Sequence, residues 1–120
     1  METPKIFDSE YRFCLILWEH EPVNSTRLVE LCKSKLGWSK ATTYTVIRRL
    51  TERGVVKNEN ATVTALISKE EAQKHRLEEM VEETFEGSMP AFIAAFSKSK
   101  KLTKDEVEQL KALIDSYQEE

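Results

Sequence analysis

Hydroxyl-bearing and cationic side chains are concentrated in one short stretch of the chain, residues 39–49. At about 100° per residue, Ala41, Thr45 and Arg48 fall on one side of a helix over this stretch. Small or hydrogen-bonding side chains near a helix start can approach base edges in a nucleic-acid groove, and cations at its rim can bind phosphates. The candidate contacts are Lys40, Ala41, Thr42, Tyr44, Thr45, Arg48 and Arg49.

The charge distribution along the chain also favours a nucleic-acid-binding helix at residues 39–49. The chain has 120 residues and a net charge of -3, but residues 1–66 carry +2 and residues 67–120 carry -5. Residues 33–57 contain seven Lys or Arg against Glu52 alone, a local charge of +6 that suits a polyanion. The alternative is an ordinary solvated helix face. An outer face with several Thr and a Tyr is unusual for that purpose, since these are indifferent helix formers.

Two shorter helices are expected before this one, and a hairpin after it. Asp8 or Ser9 can cap the first helix, which contains the apolar run 13–18, and Asn24 or Ser25 can cap the second. The third helix starts after Ser39 and runs to about residue 53. The β-branched segments 55–57 and 61–67, separated by the turn residues 58–60, predict a small hairpin. Helix, turn, helix and hairpin together predict a winged helix-turn-helix.

Three more helices are predicted in the rest of the chain. Ser68 and Thr103 each open a capping box, and Ser88 precedes a short helix between them. The predicted fold is therefore mainly α, with a winged-helix DNA-binding domain at residues 1–67 and a helical dimerisation region at 68–120. A tail of 53 residues with narrow apolar stripes is too small to form a large core alone. Packing of these helices back onto the winged helix is the alternative.

Residues 36–50 and 53–56 resemble the penicillinase repressor family, the BlaI/MecI/CopY group of bacterial transcriptional repressors. The W-S-x-x-T-x-x-T-x-x-x-R-L spacing is fairly specific for that family, and residues 14–18, 85–88 and 101–107 also match its pattern. The resemblance implies a homodimer bound to palindromic double-stranded operator DNA, often of the TACA/TGTA type. The residues expected in the dimer interface are Leu77, Met80, Val81, Phe85, Phe92, Ile93, Phe96, Val107, Leu110, Leu113, Ile114 and Tyr117.

The sequence departs from this family's pattern at several positions. Many relatives have a basic residue where this chain has Tyr44, which cannot bind guanine bidentately as Arg does. The expected wing, residues 58–62, is acidic at its tip, so we expect it to play a weak role in binding DNA. Some relatives are inactivated by cleavage of an Asn–Phe bond, which would make a sensor-linked protease a third partner. The matching bond here is Ala95–Phe96; alternatively, the aromatic residues there are only interface residues.

Other functions find less support in the sequence. No nucleophile–base arrangement, phosphate loop, cofactor motif or metal-ligand spacing is visible, so we expect neither an enzyme nor a cofactor or metal site. Cys14 and Cys32 fall on apolar helix faces and are expected to behave as small buried hydrophobes. No segment resembles a signal peptide or a membrane span, and we expect a cytoplasmic protein. An interaction adaptor that reads no DNA and a ligand-sensing regulator remain as alternatives.

Overall fold

The computed structural model describes residues 3–99 and 101–117, and within them the chain forms six helices and three short strands. Their order, helix-helix-helix-hairpin-helix-helix-helix, confirms the predicted mainly α winged-helix architecture. None of these helices is both long and apolar enough to cross a bilayer. The elements are α1 (Asp8–His20), β1 (Val23–Asn24), α2 (Ser25–Leu36), α3 (Lys40–Glu52), β2 (Val56–Glu59), β3 (Thr62–Ala65), α4 (Lys69–Phe85), α5 (Met89–Ser99) and α6 (Lys104–Ser116).

The start of α1 differs from the prediction. Asp8 and Ser9 lie inside the first turn, and the N-cap residue is Phe7, whose side chain has no oxygen to offer. The carboxylate of Glu10 replaces it, accepting the Phe7 backbone N–H at 2.9 Å. Glu10 is buried and also binds the guanidinium of Arg53 at the end of α3. The capping bond is local, three residues along the chain, and the long-range ion pair with Arg53 engages the other carboxylate oxygen of Glu10.

The helix-turn-helix is bounded by the predicted residues. Asn24 caps α2 by accepting the Thr26 N–H at 2.8 Å, and Ser39 caps α3 by accepting the Thr42 N–H at 3.1 Å. Between them, Gly37 adopts the left-handed conformation at φ 70°, which a residue with a Cβ adopts only at a cost. These local signals fix where α2 ends and where α3 begins.

The sheet has one strand more than the predicted hairpin. Its order is β1-β3-β2, and β1 pairs antiparallel with β3 through Val23↔Val63 and Asn24↔Thr62. Two residues are too few to show an alternating pattern, so β1 was not predicted. The hairpin turn is also one step later than expected, because Glu59 still pairs with Thr62. Asn60 and Ala61 form the turn with φ of 52° and 65°.

The chain divides into two compact units, the first ending at Leu77. The first unit has a closed core in which Phe13, Leu17, Leu28 and Leu50 are completely buried. Aromatic rings border it: Phe13 stacks with Trp38 at 6.3 Å between centroids, and Trp18 donates through Nε1 to the Ile67 carbonyl at 2.9 Å. Cys14 and Cys32 belong to this core, as expected. The predicted domain boundary at 67/68 remains a prediction.

The second unit begins at Glu78, within α4. Among its described residues Val81 is the only buried hydrophobic one, and α5 and α6 have no buried residue. The helices are nevertheless well capped. Thr103 and Glu106 exchange both hydrogen bonds of the predicted capping box at the start of α6, at 3.0 and 3.1 Å. The helices of this unit are therefore specified mainly by helix propensity and capping, because its described residues form almost no internal core.

Candidate nucleic-acid interface

The third helix presents the predicted face to solvent because its opposite side is anchored in the core. Thr43, Val46, Ile47 and Leu50 are all buried, and their spacing is that of one helix face. Of the candidate contacts on the other side, Thr45 is half-buried and the other six are exposed: Lys40, Ala41, Thr42, Tyr44, Arg48 and Arg49. The structure therefore brings all seven onto one accessible helix.

The first turn of α3 is organised around Ser39. Its hydroxyl accepts the Thr42 backbone N–H and lies 3.0 Å from the Thr42 hydroxyl. The buried Thr43 donates its hydroxyl to the Ser39 carbonyl at 3.2 Å. These bonds fix the helix start, where the helix dipole favours an anion such as a phosphate. The Thr42 hydroxyl is therefore partly engaged within the protein, in a contact where either hydroxyl can donate.

The cations of residues 33–57 fall into two groups in the structure. Three of them have acidic partners: Lys35 with Glu19 at 3.8 Å, Arg53 with Glu10, and Lys57 with Glu59 at 3.7 Å. The other four, Lys33, Lys40, Arg48 and Arg49, have no acidic partner within residues 3–99 and 101–117. Three of these four unpaired cations lie on the exposed face of α3, where phosphate binding requires positive charge.

Tyr44 has a partner that the sequence did not indicate. Its hydroxyl lies 3.4 Å from the Ser25 hydroxyl, a long hydrogen bond between α3 and the first residue of α2. Ser25 is buried, and its backbone N–H donates to the Ala61 carbonyl in the hairpin turn at 2.7 Å. Ser25 was considered only as a helix cap. A contact between residues 19 positions apart leaves no local sequence signal.

The wing carries little available positive charge. Its one cation, Lys57, lies beside Glu59, and both side chains are largely exposed. The turn at Asn60 and Ala61 is tied back to α2 through the Ser25 amide. The expectation that this wing contributes weakly to DNA binding stays a prediction, and these contacts agree with it.

The two thiols are poor nucleophiles. Burial, with a smaller contribution from the nearby Glu10 carboxylate, raises the pKa of Cys14 to about 12. Burial also raises the pKa of Cys32, although a hydrogen bond with Thr43 partly opposes it. Both thiols are therefore protonated at neutral pH. Within the described part of the chain no three His, Cys, Asp or Glu residues are grouped closely enough to hold a metal ion.

The candidate interface residues of the second region differ in exposure. Val81 is buried, and Met80, Phe85, Phe92 and Val107 are half-buried. Phe92 lies 5.7 Å from Phe85 and 6.3 Å from Phe96 between ring centroids, which accounts for part of this burial. Seven remain substantially exposed: Leu77, Ile93, Phe96, Leu110, Leu113, Ile114 and Tyr117.

A tri-helical domain with a three-stranded wing defines the winged-helix class of DNA-binding folds. The fold is shared with the solution structure of the DNA-binding domain of the repressor BlaI, at a TM-score of 0.51 and 24% sequence identity. That match covers 59% of this chain and 93% of the BlaI domain. It establishes the fold of the N-terminal part.

The penicillinase repressor family model matches residues 6–116, and the chain therefore belongs to that family. Its relatives include the methicillin resistance regulatory protein MecI of Staphylococcus aureus, 21% identical over 95% of this chain and 96% of MecI. A 16.5 kDa protein of Latilactobacillus sakei is 28% identical over 93% of this chain and 80% of that protein. The family consists of transcriptional repressors, not enzymes, and the chain is a repressor of the resistance-repressor type.

Proposed function

We propose that the chain represses transcription by binding, as a homodimer, to a palindromic operator in double-stranded DNA. The observation that carries the proposal is the exposed face of α3. Small and hydroxyl-bearing side chains there are flanked by three cations, Lys40, Arg48 and Arg49, that lack acidic partners among the described residues. A face of this kind serves the two requirements of a recognition helix, close approach to base edges and phosphate binding.

Side-chain chemistry indicates which residues of α3 contact bases and which contact phosphates. Ala41, Tyr44 and Thr45 have no charge and face outward, so we assign them to base edges in the major groove. Lys40, Arg48 and Arg49 reach phosphates on either side of the groove and supply most of the affinity. A phosphate contact releases counterions, and the affinity should therefore fall steeply with salt.

The second unit supports a homodimer. Leu113 and Ile114 are each 66% exposed and Tyr117 is 73% exposed, an apolar surface that the described part of a single chain leaves uncovered. Beside it, an open groove of about 430 Å³ on α6 is lined by Gln109, Ala112, Leu113 and Ser116. A second copy related by a two-fold axis covers both surfaces at once. Two recognition helices about one DNA turn apart then match a palindrome, and a bound dimer at a promoter blocks polymerase.

The proposal includes the cytoplasm as the site of action, since chromosomal operators lie there in bacteria. Inactivation by a sensor-linked protease is proposed at the Ala95–Phe96 bond. This bond lies inside α5, and Phe96 is 39% exposed. A protease requires an extended segment, so α5 must open locally before cleavage. Incubation of the chain with a candidate protease, followed by mass spectrometry, tests this bond directly, with an Ala95–Phe96 cut as the supporting result.

The central test is a fluorescence-anisotropy titration of the full chain at two salt concentrations. The probes are the DNA upstream of the chain's own gene and a scrambled duplex of equal length. Tight, salt-sensitive binding to the upstream DNA alone supports the proposal. Equal or absent binding to both duplexes contradicts it and favours the interaction adaptor.

Substitutions on α3 refine this test. Arg49→Ala should weaken binding to all sequences alike, because a phosphate contact carries no sequence information. Thr45→Ala and Tyr44→Ala should change the relative affinities for operator variants. Equal losses across all variants for the three proteins would contradict the assigned division between base and phosphate contacts.

A further inference from the structure

Ser25 is held in place by three elements of the first unit. It follows Asn24, which pairs with Thr62 in the sheet and caps α2. Its backbone N–H is bound to the Ala61 carbonyl at 2.7 Å, and only 4% of its surface is exposed. The strand pairing of Asn24, the backbone hydrogen bond of Ser25 and its burial together restrict the backbone of Ser25. Its hydroxyl is therefore presented to α3 from a well-anchored position.

The hydroxyl of Ser25 has one side-chain partner among the described residues, the Tyr44 hydroxyl at 3.4 Å. A buried hydroxyl needs a partner, since leaving it without one costs free energy. The contact therefore holds the phenol oxygen of Tyr44 towards α2. Tyr44 is 37% exposed, and with its oxygen held towards α2 we expect ring carbons to form most of that exposed surface.

The neighbours of Tyr44 on the helix extend this apolar surface. Ala41 lies three residues before it, on the adjacent turn, and contributes an exposed methyl group, whereas the next residue, Thr45, is half-buried. In the major groove the one apolar group among base edges is the C5 methyl of thymine. An apolar centre bordered by Lys40 and Arg48 fits a thymine methyl flanked by phosphates.

We propose that Ser25 is a positioning residue that holds the phenol of Tyr44 so that its ring packs on a thymine methyl group. The inference rests on the proposed operator binding and deepens it, because it names the chemical group that Tyr44 selects. Tyr44 is the contact residue and Ser25 acts through it. The hydrogen bond restricts the ring to one orientation, and the loss of either hydroxyl frees the ring.

The experiment uses the full chain and duplexes enriched by it from a random-sequence pool. Each thymine of the selected site is replaced in turn by deoxyuridine, which lacks only the C5 methyl. At one thymine in each half-site, the wild-type chain should bind the deoxyuridine duplex about fourfold less tightly, the effect expected for one buried methyl group. Tyr44→Ala should bind the two duplexes equally well.

Three variants test the positioning role. Ser25→Ala and Tyr44→Phe should each lower the thymine preference to below about twofold, with the affinity for the deoxyuridine duplex unchanged. The double variant should lose no more than either single variant, since both remove the same bond. Ser34→Ala, an exposed serine on the same helix, is the matched control and should retain the fourfold preference. Tyr44→Phe keeps the buried Ser25 in place, so the test survives if Ser25→Ala folds poorly.

The outcomes separate this inference from the proposed function. If no sequence is enriched over random DNA, operator binding fails and the positioning role fails with it. If a site is enriched but the wild-type chain ignores deoxyuridine at every thymine, operator binding stands and the positioning role is overturned. The role is also overturned if Ser25→Ala and Tyr44→Phe both keep the full thymine preference.

Discussion

The two units of this chain use their apolar residues in opposite ways. In the first unit, residues such as Phe13, Leu28 and Leu50 are completely buried against one another. In the second, the helices are regular and capped, but Leu113, Ile114 and other large apolar side chains lie open to solvent. Helix formation alone contributes little stability without the burial of an apolar face. We therefore expect the first unit to fold by itself, and we expect the second unit to gain stability from the proposed partner surface.

This difference assigns separate tasks to the two units. A rigid core is needed to hold α3 with its outer face exposed, and the first unit provides one. In the proposed homodimer an uncovered apolar surface brings two such units together, and the second unit has such a surface among its described residues.

The largest effect concerns thiol reactivity. The pKa of Cys14 is raised by burial to about 12 from 9.0, so at pH 8 its thiolate fraction is lower by about a thousandfold than in an unfolded chain. Labelling with a thiol reagent should be slower by at least that factor. A cysteine introduced in the second unit by Ser99→Cys, at an exposed position, should react at the rate of a free thiol. Comparable labelling rates at Cys14 and at the introduced cysteine would contradict the proposed difference in burial between the two units.

The same pKa shift has a defined effect on stability. Folding favours the protonated thiol, so its contribution is complete below pH 9 and is lost as the pH rises towards about 12. Denaturant titrations across that range should show the free energy of unfolding falling with pH. A Cys14→Ala variant, in which the thiol is absent, should show a smaller decrease.

Truncation of a leucine should have unequal effects in the two units. Leu28→Ala removes a fully buried side chain and should lower the free energy of unfolding by about 3 kcal/mol. Leu113→Ala lies outside the first unit and should change the free energy of unfolding of that unit by less than about 0.5 kcal/mol. Tryptophan fluorescence suits the comparison because both tryptophans, Trp18 and Trp38, lie in the first unit. Equal decreases in the free energy of unfolding for the two variants would contradict the assignment of these leucines to separate units.

A negative charge introduced on α6 should disrupt the proposed homodimer. Leu113→Asp places a carboxylate in the surface that a second copy would cover, and burial of an unpaired charge is costly. We expect the dimer dissociation constant, measured by sedimentation equilibrium, to rise by at least about a hundredfold. Lys111→Gln changes the net charge equally on the same helix and should have little effect. An unchanged constant for Leu113→Asp would place the interface elsewhere.

The smallest expected effect is at the hairpin turn. Ala61 has a φ of 65°, a conformation that costs a residue with a Cβ about 1 kcal/mol. Ala61→Gly should therefore stabilise the first unit by about 0.5 kcal/mol once the greater freedom of glycine in the unfolded chain is subtracted. Ala65→Gly, in β3, should destabilise it. The dimer dissociation constant should stay the same in both variants.

The elements that could be predicted from the sequence are those with local signals. The burial of α3 follows from the spacing of Thr43, Val46 and Ile47, and its start follows from Ser39. The buried Glu10–Arg53 pair and the Ser25–Tyr44 contact could not be predicted, because each joins distant parts of the chain. The strand β1 was missed for a related reason. Its two residues become a strand only through pairing with β3.

In the candidate site, too, features with a local sequence signal could be predicted and long-range contacts could not. Periodicity identified which α3 residues face outward, and all seven candidates lie on the accessible side of that helix. It could not show which cations are already paired, since the partners of Lys35 and Arg53 lie on α1. Of the seven basic residues, four have no acidic partner in the described regions of the chain, and three of those four lie on α3.

The most direct test of the account is the stoichiometry of the complex with DNA, measured by sedimentation velocity on a duplex carrying the selected palindromic site. The account predicts two chains per duplex for the wild-type protein, and a marked loss of affinity for that site in Leu113→Asp. One chain per duplex with full affinity, or no preference over scrambled DNA, would contradict the claim that the first unit reads DNA and the second brings two copies together.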